Sequence, residues 1–319
     1  MNNLKKIGLT ALAGSLVATS VAYSGELAVT GSAGMHFKNY SDSQTGKAVR
    51  MNNSVYFKGA GETDAGLNVN LSFELDQGTA NNTSNGFDNH FVSVGNDTLG
   101  TLTVHGHGGA NSAAALDKTA AGDLWDNTLL NTTSPASTRM APISSKSGNN
   151  LMVYSLPTLV DGLAVAGSYQ AANTTGAGSQ ALGLTYTGIE GLSVSYGQGN
   201  SKDVKDISGD QTIMKASYAY GSFTVGISNN EFDHTTSTID QEVDSFSLAY
   251  TVSDQISVTY GEETIDRSGQ AEDIDVNGIS VSYTSGGMTA TFAQVEAENV
   301  DHTAALDKEV WKIGLSFAF

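Results

Sequence analysis

Residues 311–319 read Trp311-Lys312-Ile313-Gly314-Leu315-Ser316-Phe317-Ala318-Phe319. Every odd position is large and apolar, and every even one is small or polar. Strict period-two alternation makes a strand with one greasy face and one wet face. Left open at the edge of a soluble fold, its unpaired N–H and C=O groups would template aggregation. It needs a partner strand, and an aromatic last residue points to closure onto one.

Composition narrows what that partner is. The chain has 319 residues, 39% of them hydrophobic, with a mean hydropathy of −0.16, so no transmembrane helix is expected beyond the N-terminus. Thirty-six glycines against three prolines fit many tight turns in an all-β chain. Aromatic and β-branched residues recur throughout, which excludes low-complexity disorder. Residues 1–24 read as a secretory signal: Lys5 and Lys6, an apolar stretch Ile7–Val21, then small residues at Ala22 and Ser24, with cleavage expected after Ser24. Residues 25–319 then form one domain. Losing the two leader lysines takes the formal net charge from −18 to −20. So acidic a chain lacks the basic stripe that nucleic acid requires. It has no cysteine, so disulfides do not hold this exported chain together.

A period-two template divides residues 25–319 into sixteen segments of roughly ten residues. They are Glu26–Phe37, Asn52–Gly61, Leu67–Asp76, Phe87–Gly95, Leu99–Gly106, Asn150–Ser155, Leu163–Ala171, Gln180–Thr187, Gly191–Gly199, Gln211–Tyr220, Ser222–Asn230, Val243–Thr251, Gln255–Thr264, Asp275–Thr284, Met288–Glu296 and the terminal strand. The third is the cleanest: Leu67, Val69, Leu71, Phe73 and Leu75 alternate with Asn68, Asn70, Ser72, Glu74 and Asp76. Connections alternate in length. Short ones, such as Thr63–Gly66, Asn96–Thr98 and Ser285–Gly287, carry the Gly, Asn and Asp that tight hairpins favour. Long polar ones, such as Asn39–Val49, Asn200–Asp210 and Asp266–Ile274, lie between them. Short and long connections therefore fall at opposite ends of an up-and-down sheet. Pro135, Pro142 and Pro157 all sit in connections.

Tyr169, Tyr186, Tyr196, Tyr218, Tyr250, Tyr260 and Tyr283 fall on the apolar parity near strand ends. An aliphatic band edged by tyrosines is what a bilayer demands of an outer surface. A soluble β-sandwich shares the alternation but needs neither the tyrosine rim nor alternating turn lengths. The expected fold is an all-β, sixteen-stranded antiparallel up-and-down transmembrane barrel.

Over residues 25–319 this pattern resembles the general-diffusion porins of Gram-negative outer membranes, alphaproteobacterial type. The likeness is carried by Glu26-Leu27-Ala28-Val29-Thr30-Gly31, the Gly66–Leu75 strand and the aromatic terminus. It implies a homotrimer in the outer membrane, in contact with lipid and lipopolysaccharide, with long loops outside. It also implies that Trp311, Gly314, Phe317 and Phe319 form a terminal signal read by the barrel-insertion machinery.

The longest irregular stretch, His107–Gly148, follows the fifth strand, where the family's long third external loop folds inward and narrows the pore. A loop this long is functional or disordered. Ala110–Thr119 reads as mildly helical. Leu116, Leu124, Trp125, Leu129 and Leu130 could anchor the loop inside while Asp117, Asp123 and Asp126 face the channel. Parity assigns His36, Lys38, Arg50, Lys58, Glu74, Lys215 and Lys312 to the pore wall. An acidic loop facing a basic wall sets up a transverse field across the constriction. In the family that wall is typically arginine-rich, and here only Arg50 is near. Acidic mouths concentrate cations, so a weak cation preference is expected.

Enzyme signatures are missing: no cysteine nucleophile, Gly-x-Ser-x-Gly elbow or phosphate-binding glycine loop. His105 and His107 could pair on a metal but have no evident third ligand. Loose Ca²⁺ binding by Asp203–Asp206 or Glu272–Asp275 is conceivable, though the spacing is not that of an EF-hand. No cofactor is expected. The reading is a passive, water-filled channel for small hydrophilic solutes and ions. A solute-specific channel and a non-conducting adhesin or structural barrel are the alternatives.

Overall fold

The terminal strand finds its partner in the first. A computed structural model describes residues 25–41, 47–76, 87–126, 148–172, 178–202, 208–235 and 239–319. In it β1 (Glu26–Tyr40) pairs with β16 (Lys308–Ala318) along one edge and with β2 (Lys47–Glu62) along the other. The circuit runs through β3 (Asn68–Asp76), β4 (His90–Asn96), β5 (Gly100–His107), β6 (Leu151–Ser155), β7 (Leu163–Gln170), β8 (Gly178–Tyr186), β9 (Leu192–Lys202) and β10 (Ser208–Tyr220). It continues with β11 (Phe223–His234), β12 (Gln241–Thr251), β13 (Ile256–Arg267), β14 (Ile274–Ser285) and β15 (Met288–Glu298). Each strand is antiparallel to its neighbours and the sheet closes, so sixteen strands make one barrel without an edge. That is the condition hydrocarbon imposes on β structure.

Register makes the outer wall. Phe223, Tyr250, Val258, Val281, Phe292, Ile313 and Phe37 are successive cross-strand partners, one apolar row running from β11 across the seam to β1. Cross-strand contacts of this kind are the unit of sheet stability, and Phe223 and Tyr250 place their rings 4.7 Å apart. Tyr186, Tyr218, Tyr250 and Tyr283 stand near the short-turn end of their strands. The short turns use glycine where the backbone demands it. Gly191 has φ 77°, and a Cβ there would lie 2.3 Å from the Ala219 carbonyl oxygen.

At the long-loop end the strands extend beyond the expected segments. β2 begins at Lys47 rather than Asn52, β10 at Ser208 rather than Gln211, while β11 reaches His234 and β13 reaches Arg267. On β10–β16 the reason is an inversion of phase; β2 keeps its phase, with Val49 and Met51 outward. Within the lipid band, apolar residues point out and polar ones in. Beyond it, Glu231, Asp233, Glu242, Asp266 and Glu298 share the outward parity, while on the opposite parity Phe232 is buried and Val243, Ile265, Ile274, Val276, Val295 and Val310 form one buried cluster. The ladder continues while the hydrophobic pattern changes sides.

One local expectation is corrected. Ala110–Thr119 is not a helix beyond a 3-10 turn at Ala114–Leu116. Asn111 Oδ1 accepts from the Ala113 and Ala114 amides to start that turn. It stops because the Asp117 and Lys118 carbonyls are taken by side chains of the wall, Asn230 and Lys215. His105 and His107 do not form a pair. A bulge between β4 and β5 sets His105 against Phe91 (ring centroids 5.5 Å apart) and His107 against His90 (6.5 Å).

Candidate functional site: the pore lining and the segment after β5

On the wet parity of β16, β1 and β2 the basic residues come together by register. His36 is the cross-strand partner of Arg50, and Lys38 that of Lys312. Directly opposed side chains in an antiparallel pair have Cβ atoms about 4.5–5.5 Å apart, so four cationic or protonatable groups share one patch. Lys58 lies further toward the short-turn end, opposite Ser72, with its ammonium 5.4 Å from the Tyr56 ring. Glu74 takes no place in the basic patch: it is buried and accepts from Tyr56 Oη and Asn89 Nδ2, each at 2.5 Å.

The segment after β5 is hydrogen-bonded to side chains of β7, β11, β12 and β13. The Ser112 amide donates to Ser168 Oγ on β7 (2.9 Å), the Ala120 amide to Ser228 Oγ on β11 (2.9 Å) and the Ala121 amide to Ser245 Oγ on β12 (2.9 Å). Glu263 on β13 is fully buried and accepts from the Leu124 amide (2.9 Å), the Trp125 amide (3.0 Å) and the Thr119 hydroxyl. All four acceptors lie on the parity opposite the greasy face. The wall is thinned to receive the segment: a Cβ on Gly183 would lie 2.3 Å from the Ser112 carbonyl oxygen, and one on Gly261 would lie 2.7 Å from Ala121 Cβ. Leu124 and Trp125 pack against the buried cluster of Ile265, Ile274, Val276 and Val295. Leu116 approaches Gly183, whereas Leu129 and Leu130 lie outside the described residues.

Lys215, assigned with the wall from sequence, stands on β10 under this segment. Its Nζ donates to the Lys118 carbonyl (2.6 Å), so it fastens the acidic stretch rather than opposing it. Asp117 and Asp123 lie above it. Burial and the neighbouring Asp123 charge push the Asp117 carboxyl up to about 6. Asp123 Oδ1 accepts from the Thr119 amide (2.9 Å), and its backbone adopts φ 61°. Asp126 closes a second 3-10 turn, Leu124–Asp126. The serines at 168, 228 and 245 and Glu263 carry no sequence signal beyond parity. Glu263 was findable, since Glu262 and Glu263 are adjacent and one of them must face inward.

At the seam, Trp311 rests on Phe37 (centroids 5.4 Å apart), Gly314 faces His36, and Phe317 pairs with Ala33. Phe319 adds the last rung against Gly31. Among the described residues no three His, Asp or Glu converge to hold a metal, and Asp203–Asp206 lie outside them.

The profile of the Gram-negative porin family matches residues 8–303. The chain belongs to that family. Solved porins share the fold at low sequence identity. An anion-selective porin from Comamonas acidovorans is 13% identical, covering 92% of this chain and 100% of its own, with a TM-score of 0.69. A loop-deletion mutant of an outer membrane protein of Vibrio cholerae is 16% identical over 92% of this chain and 99% of its own, with a TM-score of 0.68. A triple mutant of the Rhodopseudomonas blastica porin is 15% identical over 92% and 100%, with a TM-score of 0.65. No curated protein matches the chain in sequence. This porin is therefore a passive outer-membrane channel protein and not an enzyme.

Proposed function

We propose that this porin passes small hydrophilic solutes and ions through a water-filled lumen and filters them by size and charge at one narrowing. The narrowing lies between the segment Ala110–Asp126 and the basic patch of β16, β1 and β2. One observation carries this reading: amides of Ser112, Ala120, Ala121, Leu124 and Trp125 all donate to side chains on the wet parity. Such bonding lays the segment along the inside of β7–β13, across from β1. Asp117, Asp123 and Asp126 then face His36, Lys38, Arg50 and Lys312, and solutes cross a transverse field. With a formal net charge of −20 once the two leader lysines are gone, the mouths favour cations and the pore is weakly cation-preferring.

Residues 1–24 direct export and are then removed after Ser24. Three copies assemble in the outer membrane against lipid and lipopolysaccharide, after insertion by machinery that reads the terminal aromatic strand. Reversal potentials across a planar bilayer in a KCl gradient test the selectivity, and single-channel steps with graded sugars test the size limit. No conductance would sink the channel reading. A second reading, anion preference, is favoured by the pairing of His36 with Arg50 and Lys38 with Lys312, and a fold relative is named as anion-selective. The same reversal potentials separate the two by sign.

A further inference from the structure

Phe91 on β4 carries a wholly apolar ring on the wet parity, half-buried and apart from the buried cluster around Ile265 and Val295. Its cross-strand row reads Ala28, Lys58, Ser72, Phe91 and His105 from β1 to β5. The next wet row, one step nearer the short turns, reads Ala60, Asn70, Ser93 and Thr103 from β2 to β5. Between the rows lies a hollow of about 330 Å³, lined by Ala28, Lys58, Ala60, Asn70, Ser72 and Phe91. Ala28, Ala60 and Ser72 are small and make its floor, while Lys58, Asn70 and Phe91 stand around them.

The two sides of the hollow differ in chemistry. Neighbouring strands lie about 4.8 Å apart, so the backbones of Lys58 and Phe91, with β3 between them, are separated by roughly 10 Å. The Lys58 ammonium rests 5.4 Å from the centre of the Tyr56 ring and forms no ion pair among the described residues. Glu74, one wet row toward the long loops, is already engaged: Oε1 accepts from Tyr56 Oη and Oε2 from Asn89 Nδ2. Asn70 Nδ2 donates to Ser93 Oγ at 3.4 Å, and an amide nitrogen has a second hydrogen to give. On the other side the Phe91 ring is backed by His105, with centroids 5.5 Å apart.

From this geometry we infer that the hollow is a solute subsite for a monocarboxylate borne on a flat apolar ring. The carboxylate meets the Lys58 ammonium and the second hydrogen of Asn70, and the ring lies over Ser72 against Phe91. Neither group holds a solute alone. A single ammonium in a water-filled lumen grips an anion weakly, and one ring contact adds only about fivefold in affinity. This rests on the reading of the lumen as a solute path and names one class of solute that pauses in it. It holds for either sign of ion preference, because the subsite acts at contact distance.

Saturation-transfer NMR on the full-length protein in detergent reads binding whether or not the pore conducts. Benzoate should bind saturably. Its affinity should exceed about tenfold that of acetate, which lacks the ring, and that of benzyl alcohol, which lacks the charge. Lys58→Met keeps the stem, removes the ammonium and should weaken benzoate about tenfold. Phe91→Leu should weaken it about fivefold and leave acetate where it was. Ala60→Leu, which fills the floor without touching ring or charge, should weaken it as well. Heat-shifted gel mobility verifies that each variant is folded. A wild type that conducts in planar bilayers but binds no benzoate overturns this inference and leaves the channel reading intact. Benzoate bound through Lys58 and Phe91 by a protein that does not conduct supports the subsite and removes the channel reading. Benzylamine binding as tightly as benzoate, or benzoate binding indifferent to all three substitutions, overturns the subsite.

Discussion

Gly31 and Phe319 exchange both backbone hydrogen bonds: the Gly31 amide donates to the Phe319 oxygen at 2.7 Å, and the Phe319 amide to the Gly31 oxygen at 2.9 Å. The ladder between β1 and β16 is thus paired to its last rung. The Phe319 ring lies over the glycine, so a Cβ on Gly31 would come within 2.7 Å of it. Gly31→Val must push the ring away or open the rung. The expected outcome is a barrel that loses its heat-resistant gel band at a lower temperature than wild type, whereas Gly34→Ala, whose nearest neighbour is the movable Asn52 side chain, should cost less.

The latch at Glu263 makes a sharper prediction. Its carboxylate takes three donors from the segment after β5. Glu263→Ala leaves those donors without acceptors, at roughly 1–3 kcal/mol for each buried unpaired group. Glu263→Gln keeps one acceptor oxygen and should act more mildly. Single-channel recordings should show larger and noisier conductance for the alanine variant, with the glutamine variant between it and wild type. Unchanged, quiet conductance in Glu263→Ala would remove the segment from the pore.

Asp117 sets a pH dependence. Its carboxyl titrates near 6 in the folded chain against 3.8 when unperturbed, so the folded state holds the proton more tightly than the unfolded one. Its contribution to stability is therefore greatest below pH 3.8 and is lost as pH rises through about 6. Function moves in the same window with its own sign. Acidification through about pH 6 neutralises one carboxylate of the acidic segment, so the cation-to-anion permeability ratio should fall. In Asp117→Asn that step should disappear, which a pH series of reversal potentials checks.

How much of this the sequence could disclose follows from where hydrophobic contrast exists. Inside the bilayer the clearest strands are apolar on one side only, and Leu67–Leu75 or Ile313–Phe319 declare themselves by parity. At the long-loop end the contrast changes sides: Phe232 and Ile265 point in, Glu231 and Asp266 point out. A template with fixed phase stops there, which is why β11 and β13 read short. The basic patch was legible because lysine and arginine on an inward parity have few other uses. The anchoring was not, because Ser168, Ser228 and Ser245 matter through single hydroxyls whose partners lie 56 to 124 residues away in the chain. The short β6 was faint for a different reason: only Leu151–Ser155 carries the ladder there.

Wall and segment together give a last prediction, one that salt can interrogate. Arg50 and Lys312 sit on neighbouring cross-strand rows, each beside another basic group, His36 and Lys38. Replacing Arg50 by Ala removes a permanent positive charge, while Lys312→Ala removes one from the adjoining row. Each should raise the cation-to-anion permeability ratio, and the double variant should exceed either alone. The field responsible is screened over about 10 Å at 0.1 M salt and about 3 Å at 1 M. The shift in reversal potential should therefore be large in dilute KCl and shrink in concentrated KCl, while the single-channel conductance at high salt stays near wild type. A selectivity change that persists undiminished at high salt would mean that Arg50 acts by narrowing the lumen, and the charge-filter account of this patch would fall.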